Sequence, residues 1–141
     1  MARDEKLALL SNVGLFSTLN RKELTLVGKS ADQVTVGAET TLVAEGSSGH
    51  EFYLILDGTA VVRRNGRKVA ALGPGDYFGE LALLDGGPRS ATVTAETDLK
   101  VLIIGQRQFF GVLEEVPPVA LKLLATMARR LREADVRAPS H

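Results

Sequence analysis

The dipeptide Asn65-Gly66 restricts the fold of this chain more than any other short feature of its sequence. Asn-Gly favours the two-residue turn of a β-hairpin, because both residues tolerate a positive φ. Strand-like segments, Val61–Arg64 and Arg67–Leu72, flank it directly. The sequence therefore predicts two antiparallel strands joined at residues 65 and 66.

The hairpin belongs to a longer region, residues 33–104, in which apolar and polar residues alternate with period two. Further strands are predicted around Val34 and Val36 and over Thr41–Glu45, Phe52–Leu56, Thr59–Arg64, Ala91–Ala95 and Val101–Ile104. Glycine-rich turns separate these strands, among them the turn at Asp57-Gly58. Strands of about five residues at regular spacing are typical of a β-sandwich or a jelly-roll barrel.

Helical patterns flank this region on both sides. Residues 1–32 include a predicted helix Arg21–Lys29, which a capping box of Asn20 and Glu23 begins. After residue 104, Gln106–Glu115 is amphipathic, and the two prolines that follow break that helix. We interpret the whole as one domain, made of an N-terminal helical segment (1–32), a β region (33–104) and C-terminal hinge and lid helices (105–136).

The last predicted helix, Val119–Val136, is apolar on two flanks. One stripe is formed by Leu121, Leu124, Ala125, Ala128 and Leu131, and the second flank by Ala120, Leu123 and Met127. A helix that is apolar on two flanks needs two partners. The stripe is expected to serve as core or lid, and part of it as the interface of a homodimer.

Composition excludes several classes of function. The 141 residues correspond to about one domain, and 17 basic residues balance 17 acidic ones. This balance argues against direct binding of nucleic acid or of an anionic membrane. The chain has no cysteine and only His50 and His141, so thiolate sites, a His-rich metal site and a Ser-His-Asp triad are not expected. We therefore expect no enzymatic activity, no metal and no cofactor.

No apolar stretch approaches the roughly 18 residues that span a bilayer, and the N-terminus lacks the pattern of a signal peptide. The expected location is the cytoplasm. No basic recognition helix follows the last predicted helix, so these residues are not expected to contact DNA.

Residues 78–91 interrupt the alternation and concentrate groups suited to an anion. Glu80–Leu84 has the length of one helical turn, and the start of a helix offers free amide donors. Gly79 permits close approach of a ligand to the backbone. The planar fork of Arg89 suits a phosphate, Ser90 adds a hydroxyl, and the carboxylate of Glu80 offers an acceptor for a sugar hydroxyl.

This segment resembles the phosphate-binding cassette of cyclic nucleotide-binding domains, as in the catabolite activator protein and the protein kinase A regulatory subunits. The residues at the family's spacing are Phe78-Gly79-Glu80-Leu81-Ala82-Leu83 and Pro88-Arg89-Ser90-Ala91. Residues 45–53 resemble the family's glycine-bearing turn and the strand after it. The likeness extends over residues 10–135.

The resemblance implies a mainly β fold, an eight-stranded antiparallel jelly-roll (double-stranded β-helix) barrel with flanking helices. It also implies that Glu80 accepts from the ribose 2′-hydroxyl and that Arg89 pairs with the cyclic phosphate, with Ser90 bonding nearby. The purine would lie toward the C-terminal helix, where Arg129, Arg130 and Arg132 favour the helix dipole and one of them is a candidate contact for the base. The predicted ligand-binding residues are Gly79, Glu80, Leu81, Ala82, Arg89, Ser90 and Ala91.

The function that follows from the resemblance is a cyclic nucleotide sensor that transmits binding through its C-terminal helices to an effector protein. In the family, a threonine directly after the cassette arginine favours cyclic GMP, whereas serine or alanine more often accompanies cyclic AMP. Ser90 therefore favours cyclic AMP and leaves cyclic GMP open. The alternative is a degenerate module of the same fold that acts only in protein–protein interaction.

Overall fold

The computed structural model describes residues 2–137, with side chains described for residues 7–134. The helices are α1 (Ala2–Ser11), α2 (Arg21–Lys29), α3 (Glu80–Asp85), α4 (Gln106–Glu115) and α5 (Pro117–Arg137), with a 3-10 turn at Gly14–Phe16. The strands are β1 (Asp32–Val36), β2 (Thr41–Val43), β3 (Glu51–Asp57), β4 (Ala60–Arg64), β5 (Arg67–Leu72), β6 (Tyr77–Phe78), β7 (Thr92–Ala95) and β8 (Leu99–Gly105).

Helix α2 begins at the predicted capping box. The side-chain oxygen of Asn20 accepts from the backbone N–H of Glu23 at 2.8 Å, and the Glu23 carboxylate accepts from the backbone N–H of Asn20 at 3.0 Å. The cap stabilises the helix by about 1 kcal/mol. Because this interaction is local, the sequence predicted both ends of α2 correctly.

The hairpin of β4 and β5 is also confirmed. Asn65 has φ 52° and Gly66 φ 78°, so both turn residues are left-handed, and Arg64 pairs with Arg67 directly beside the turn. The pairing then skips Val69, which leaves one extra residue in β5 and makes a β-bulge.

All eight strands are antiparallel to their neighbours, as expected, but they do not close into a barrel. They form two four-stranded sheets, in the orders β1-β8-β3-β6 and β2-β7-β4-β5. No ladder joins the two sheets within residues 2–137, where β2 and β6 are only three and two residues long. Helices hold more residues than strands do, so the description "mainly β" was too strong.

Strand β3 separates two hydrophobic cores. Phe52 and Leu54 pack with α1, α2, α4 and α5 on the outer face of the first sheet. Tyr53 and Ile55 point the other way and pack against residues of the second sheet, such as Val93. Because the strand is covered on both faces, its sequence is a continuous apolar run instead of an alternating one.

Helix α5 buries the second of its two apolar flanks, not the stripe that was expected to be buried. Val119 and Leu123 are 1 % and 3 % exposed, and Met127 packs against the same core. The predicted stripe faces outward instead, since Leu121 and Leu131 are both 67 % exposed. Apolar residues on two flanks do not specify which one turns inward; packing against the core shared with α1, α2 and α4 decides that here. No helix within residues 2–137 is both long and apolar enough to cross a membrane.

Candidate ligand-binding site

All seven predicted ligand-binding residues line one cavity of about 620 Å³. It lies between the cassette, residues 78–91, and the inner side of the hairpin of β4 and β5, where Val62 and Leu72 provide apolar walls. Arg130 of α5 closes one side. The sequence thus predicted which segment lines one side of the cavity, although it did not predict which hairpin residues face that segment.

A larger cavity, of about 970 Å³, lies along α2 and the junction of α4 and α5. Its charged residues are ordinary helix-surface residues, and Arg21, Lys22, Lys29 and Glu115 among them are exposed. The cassette cavity is different because Glu80 and Arg89 are 5 % and 4 % exposed. Buried charges need specific partners, and these two residues are the only buried charged ones within residues 7–134.

Glycines determine where the cassette helix α3 begins and ends. Gly79 precedes it with φ 94° and Gly86 follows it with φ 71°, both in the left-handed region that favours glycine. The helix is one residue longer than expected. Strand β6, directly before it, was missed, because two residues are too few to show a periodicity.

Arg89 connects the cassette to the start of β3. Its Nη1 donates to the backbone oxygen of Gly79 at 3.3 Å, and its Nη2 donates to the backbone oxygen of Glu51 at 3.1 Å. The Glu51 carboxylate lies 3.4 Å from Nη2, and the guanidinium carbon lies 5.9 Å from the centre of the Tyr53 ring. A guanidinium has five N–H donors, so donors remain for an anion in the cavity.

Two glycines leave room for this guanidinium. A Cβ atom at Gly49 would overlap Nε, Cζ and Nη2 of Arg89. A Cβ atom at Gly79 would lie 2.7 Å from the backbone oxygen of Glu51 and 2.8 Å from Nη1 of Arg89. Gly79 was predicted to admit a ligand, and Gly49 was taken as a turn residue. In the structure, the absence of a side chain at both glycines leaves space for the Arg89 guanidinium.

Glu80 forms an ion pair with an arginine of the C-terminal helix α5. Nη1 of Arg130 lies 3.3 Å from Oε1 of Glu80, and the guanidinium carbon of Arg130 lies 5.7 Å from the centre of the Tyr77 ring. Burial raises the pKa of Glu80, while its own backbone N–H, Arg130 and Arg89 act to lower it. Of the three arginines suggested near the purine, Arg130 therefore reaches the cavity, through Glu80.

The raised pKa of Glu80 gives a testable pH dependence. Folding favours the protonated carboxyl, so its stabilising contribution is fully present below the ordinary pKa of about 4.3 and is lost as pH rises through the raised value. We expect the wild type to lose stability relative to Glu80→Gln as pH rises above about 4. Urea denaturation at each pH measures the difference in the free energy of unfolding.

The control for this experiment is Glu133→Gln, which removes an exposed carboxylate from α5. Its stability difference from the wild type should not follow the trend of Glu80→Gln. A difference for Glu80→Gln that stays constant with pH would mean that pairing with Arg130 balances burial, and a change in the opposite direction would mean that pairing outweighs burial.

The remaining predicted residues differ in exposure. Ala82 and Ala91 are buried, Leu81 is 43 % exposed, and Ser90 is exposed at the rim. Leu81 and Ala82 lie in the first turn of α3, where backbone amides have no partner within the helix. The cavity thus combines a buried cation, a buried carboxylate and free amides beside apolar walls. This combination suits a small ligand that has an anionic group, a hydroxyl and a flat apolar part.

Sequence reasoning did not single out Gly49, Glu51, Arg64 or Tyr77 for the site, although Gly49 and Glu51 lie in the turn-and-strand segment 45–53 that resembles the family. Tyr77 directly precedes the cassette, whereas Glu51 reaches Arg89 across 38 positions and Arg64 reaches Ser90 across 26. Within residues 7–134 no cluster of histidines and carboxylates has the arrangement of a metal site.

Residues 33–116 match the family model of the cyclic nucleotide-binding domain. Among curated proteins, a regulatory subunit of a cAMP-dependent protein kinase from Aspergillus niger is 40 % identical over 114 residues. The matched part is 79 % of this chain and 28 % of that relative.

Solved structures give the same fold. The catabolite activator protein of Thermus thermophilus superimposes with a TM-score of 0.82 at 33 % identity, covering 89 % of this chain and 61 % of that one. The regulatory subunit of a protein kinase A described as cAMP-independent, from Trypanosoma brucei, superimposes with a TM-score of 0.80 at 26 % identity, covering 88 % and 46 %. This chain therefore spans less than two thirds of each of these three relatives.

Proposed function

Because this chain belongs to the cyclic nucleotide-binding domain family, we propose that it is a sensor that binds cyclic AMP in the cassette cavity. Arg89 pairs with the cyclic phosphate, and Glu80 accepts from the ribose 2′-hydroxyl. The hydroxyl of Ser90 and the amides of Leu81, Ala82 and Ala91 complete the phosphate site beside Gly79. The purine lies between the apolar hairpin wall and α5.

The observation that supports this proposal is the pair of buried charges in one cavity. A carboxylate and a guanidinium that are each about 95 % buried are costly unless both have partners. Their existing partners are backbone oxygens and partly exposed side chains, Glu51 and Arg130. A cyclic nucleotide would bring a phosphate anion for Arg89 and a hydroxyl donor for Glu80.

Isothermal titration with cyclic AMP and then with cyclic GMP tests the proposal. One site per chain, with tighter binding of cyclic AMP, is the expected result. Tighter binding of cyclic GMP would overturn the choice of base. Absence of heat and of a thermal shift with both nucleotides would overturn the sensor.

Transmission of binding through the C-terminal helices is the second part of the proposal. Arg130 joins α5 to Glu80, the same carboxylate that the ribose would contact. A ligand that binds one arrangement of α5 better than another shifts the helix toward that arrangement. Arg130 is therefore the point at which occupancy of the cavity reaches α5.

Arg130→Gln tests this coupling. In the wild type we expect cyclic AMP to slow amide hydrogen exchange in α5 by roughly fivefold or more, and in Arg130→Gln we expect most of this slowing to disappear. Arg132→Gln is the matched control, since it removes the same charge from an exposed position on the same helix. Equal slowing in both variants would show that the response of α5 does not depend on the contact with Glu80.

The exposed stripe on α5 supports a homodimer as a further part of the proposal. Leu121, Leu124 and Leu131 are 61–67 % exposed along one stripe of α5, and a contiguous exposed apolar surface is typical of a protein interface. Sedimentation that detects only monomer at high protein concentration would remove this part.

The alternative function is a module of the same fold that does not respond to cyclic AMP and acts through protein contacts. It is favoured by the likeness to the Trypanosoma brucei subunit, whose kinase is described as cAMP-independent. The titration separates the two functions, because only the sensor binds cyclic AMP.

A further inference from the structure

Arg64, near the end of β4, contacts the cassette from the opposite wall of the cavity. Its Nε donates to the backbone oxygen of Ser90 at 3.2 Å, and its side chain lines the cavity. The two residues are 26 positions apart. Arg63, the preceding residue, is equally charged and exposed, but it does not line the cavity.

Two hydrogen bonds hold the β4–β5 hairpin in place next to Arg64. The backbone N–H of Asn65 donates to Oε1 of Glu45 at 3.0 Å, and the backbone N–H of Glu45 donates to Oγ1 of Thr92 at 2.9 Å. Thr92 follows the cassette directly. These bonds hold the base of the Arg64 side chain near Ser90, so the contact does not depend on a free hairpin end.

The bond to Ser90 has a consequence for the next residue. The carbonyl of Ser90 and the N–H of Ala91 belong to the same planar peptide group, which is trans here. In a trans peptide these two groups point in opposite directions. An arginine that holds the carbonyl therefore also sets the direction of the N–H of Ala91, which has no acceptor within residues 7–134. Charge on the donor further polarises the peptide.

We propose that Arg64 is a positioning residue, which orients the peptide between Ser90 and Ala91 so that its N–H is available to the phosphate. The inference rests on the proposed function, since it assigns a supporting contact to the same anion site. Arg64 acts through the peptide and does not itself bind the phosphate.

Two variants separate the hydrogen bond from the charge. Arg64→Gln places an amide N–H close to the former position of Nε and removes the charge, whereas Arg64→Met removes both. We expect Arg64→Met to weaken cyclic AMP binding by about fivefold to tenfold, and Arg64→Gln to retain most of the affinity. Arg63→Met is the matched control and should bind as the wild type does.

The second measurement is the amide proton chemical shift of Ala91 in the ligand-free protein. We expect Arg64→Met to move it and Arg64→Gln and Arg63→Met to leave it near the wild-type value. Equal weakening in Arg64→Gln and Arg64→Met would assign the effect to charge and overturn the positioning role. The positioning role would also be overturned if Arg64→Met lowered the melting temperature but left the cyclic AMP affinity and the Ala91 amide shift unchanged.

Failure of the proposed function gives a different result. A wild-type chain that binds neither cyclic AMP nor cyclic GMP overturns the sensor, and with it any role of Arg64 in binding. The Ala91 shift of the ligand-free variants then still decides whether Arg64 orients the peptide.

Discussion

Arg89→Leu is expected to lower the affinity for cyclic AMP by at least about tenfold, and by about a hundredfold if two charge-assisted bonds to the phosphate are lost. Each such bond contributes roughly 1.5–3 kcal/mol, and about 1.4 kcal/mol corresponds to a factor of ten. Because Arg89 is 4 % exposed, solvent does not replace the lost donor. Isothermal titration measures the effect.

Arg89→Leu is also expected to lower the stability of the fold, because Arg89 donates hydrogen bonds to the backbone. Leucine leaves the backbone oxygens of Gly79 and Glu51 without the donors that Nη1 and Nη2 supply. An unsatisfied buried acceptor costs about 1–3 kcal/mol, so we expect a lower melting temperature in a protein that still folds. Arg67→Leu, at an exposed position in β5, removes the same charge and should leave affinity and stability near wild type. Wild-type affinity in Arg89→Leu would place the phosphate elsewhere.

Gly49→Ala is expected to reduce the affinity for cyclic AMP by about tenfold or more and to lower the melting temperature, by no more than Arg89→Leu does. The added methyl group would overlap the guanidinium of Arg89, which is the end of a flexible side chain and moves away more easily than backbone does. The protein is still expected to fold, but the guanidinium loses its bonds to the backbone oxygens of Gly79 and Glu51 and leaves the position where the phosphate would meet it. Titration measures the affinity, and thermal denaturation measures the stability.

Gly37→Ala is the control for this prediction. A Cβ atom at Gly37 meets nothing within 4 Å, and its φ lies outside the left-handed region, as does that of Gly49. Both variants thus make the same chemical change, and only Gly49→Ala displaces Arg89. Equal affinities in the two variants would show that the position of Arg89 in the ligand-free protein is not the one that binds phosphate.

Features that depend only on residues close together in the chain were predictable from the sequence. The capping box at Asn20 and Glu23 and the turn at Asn65 and Gly66 have the predicted geometry, because each is determined within four residues. The cassette was predictable for a related reason. Its glycines, its short helix and Arg89 form one continuous segment, and the resemblance to a known family lies in that segment.

The orientation of α5 and the arrangement of the two sheets were decided by the tertiary structure. Both flanks of α5 are apolar, so periodicity alone did not distinguish the buried Leu123 from the exposed Leu124. Packing of all helices against one sheet made that choice. Likewise, strand patterns predict which residues pair locally, but they do not predict whether short strands such as β2 and β6 close a barrel.

The sequence by itself determined which residues are the candidates for binding an anion, because Glu80, Arg89 and the cassette amides lie within one short segment. Only the tertiary structure decided what surrounds them. Arg89 is held by Glu51 and given room by Gly49, Glu80 is bound by Arg130, and Ser90 is contacted by Arg64. The physical reason is distance along the chain: these partners lie 26 to 50 positions from the residues they bond, and contacts across such separations form only when sheets and helices pack.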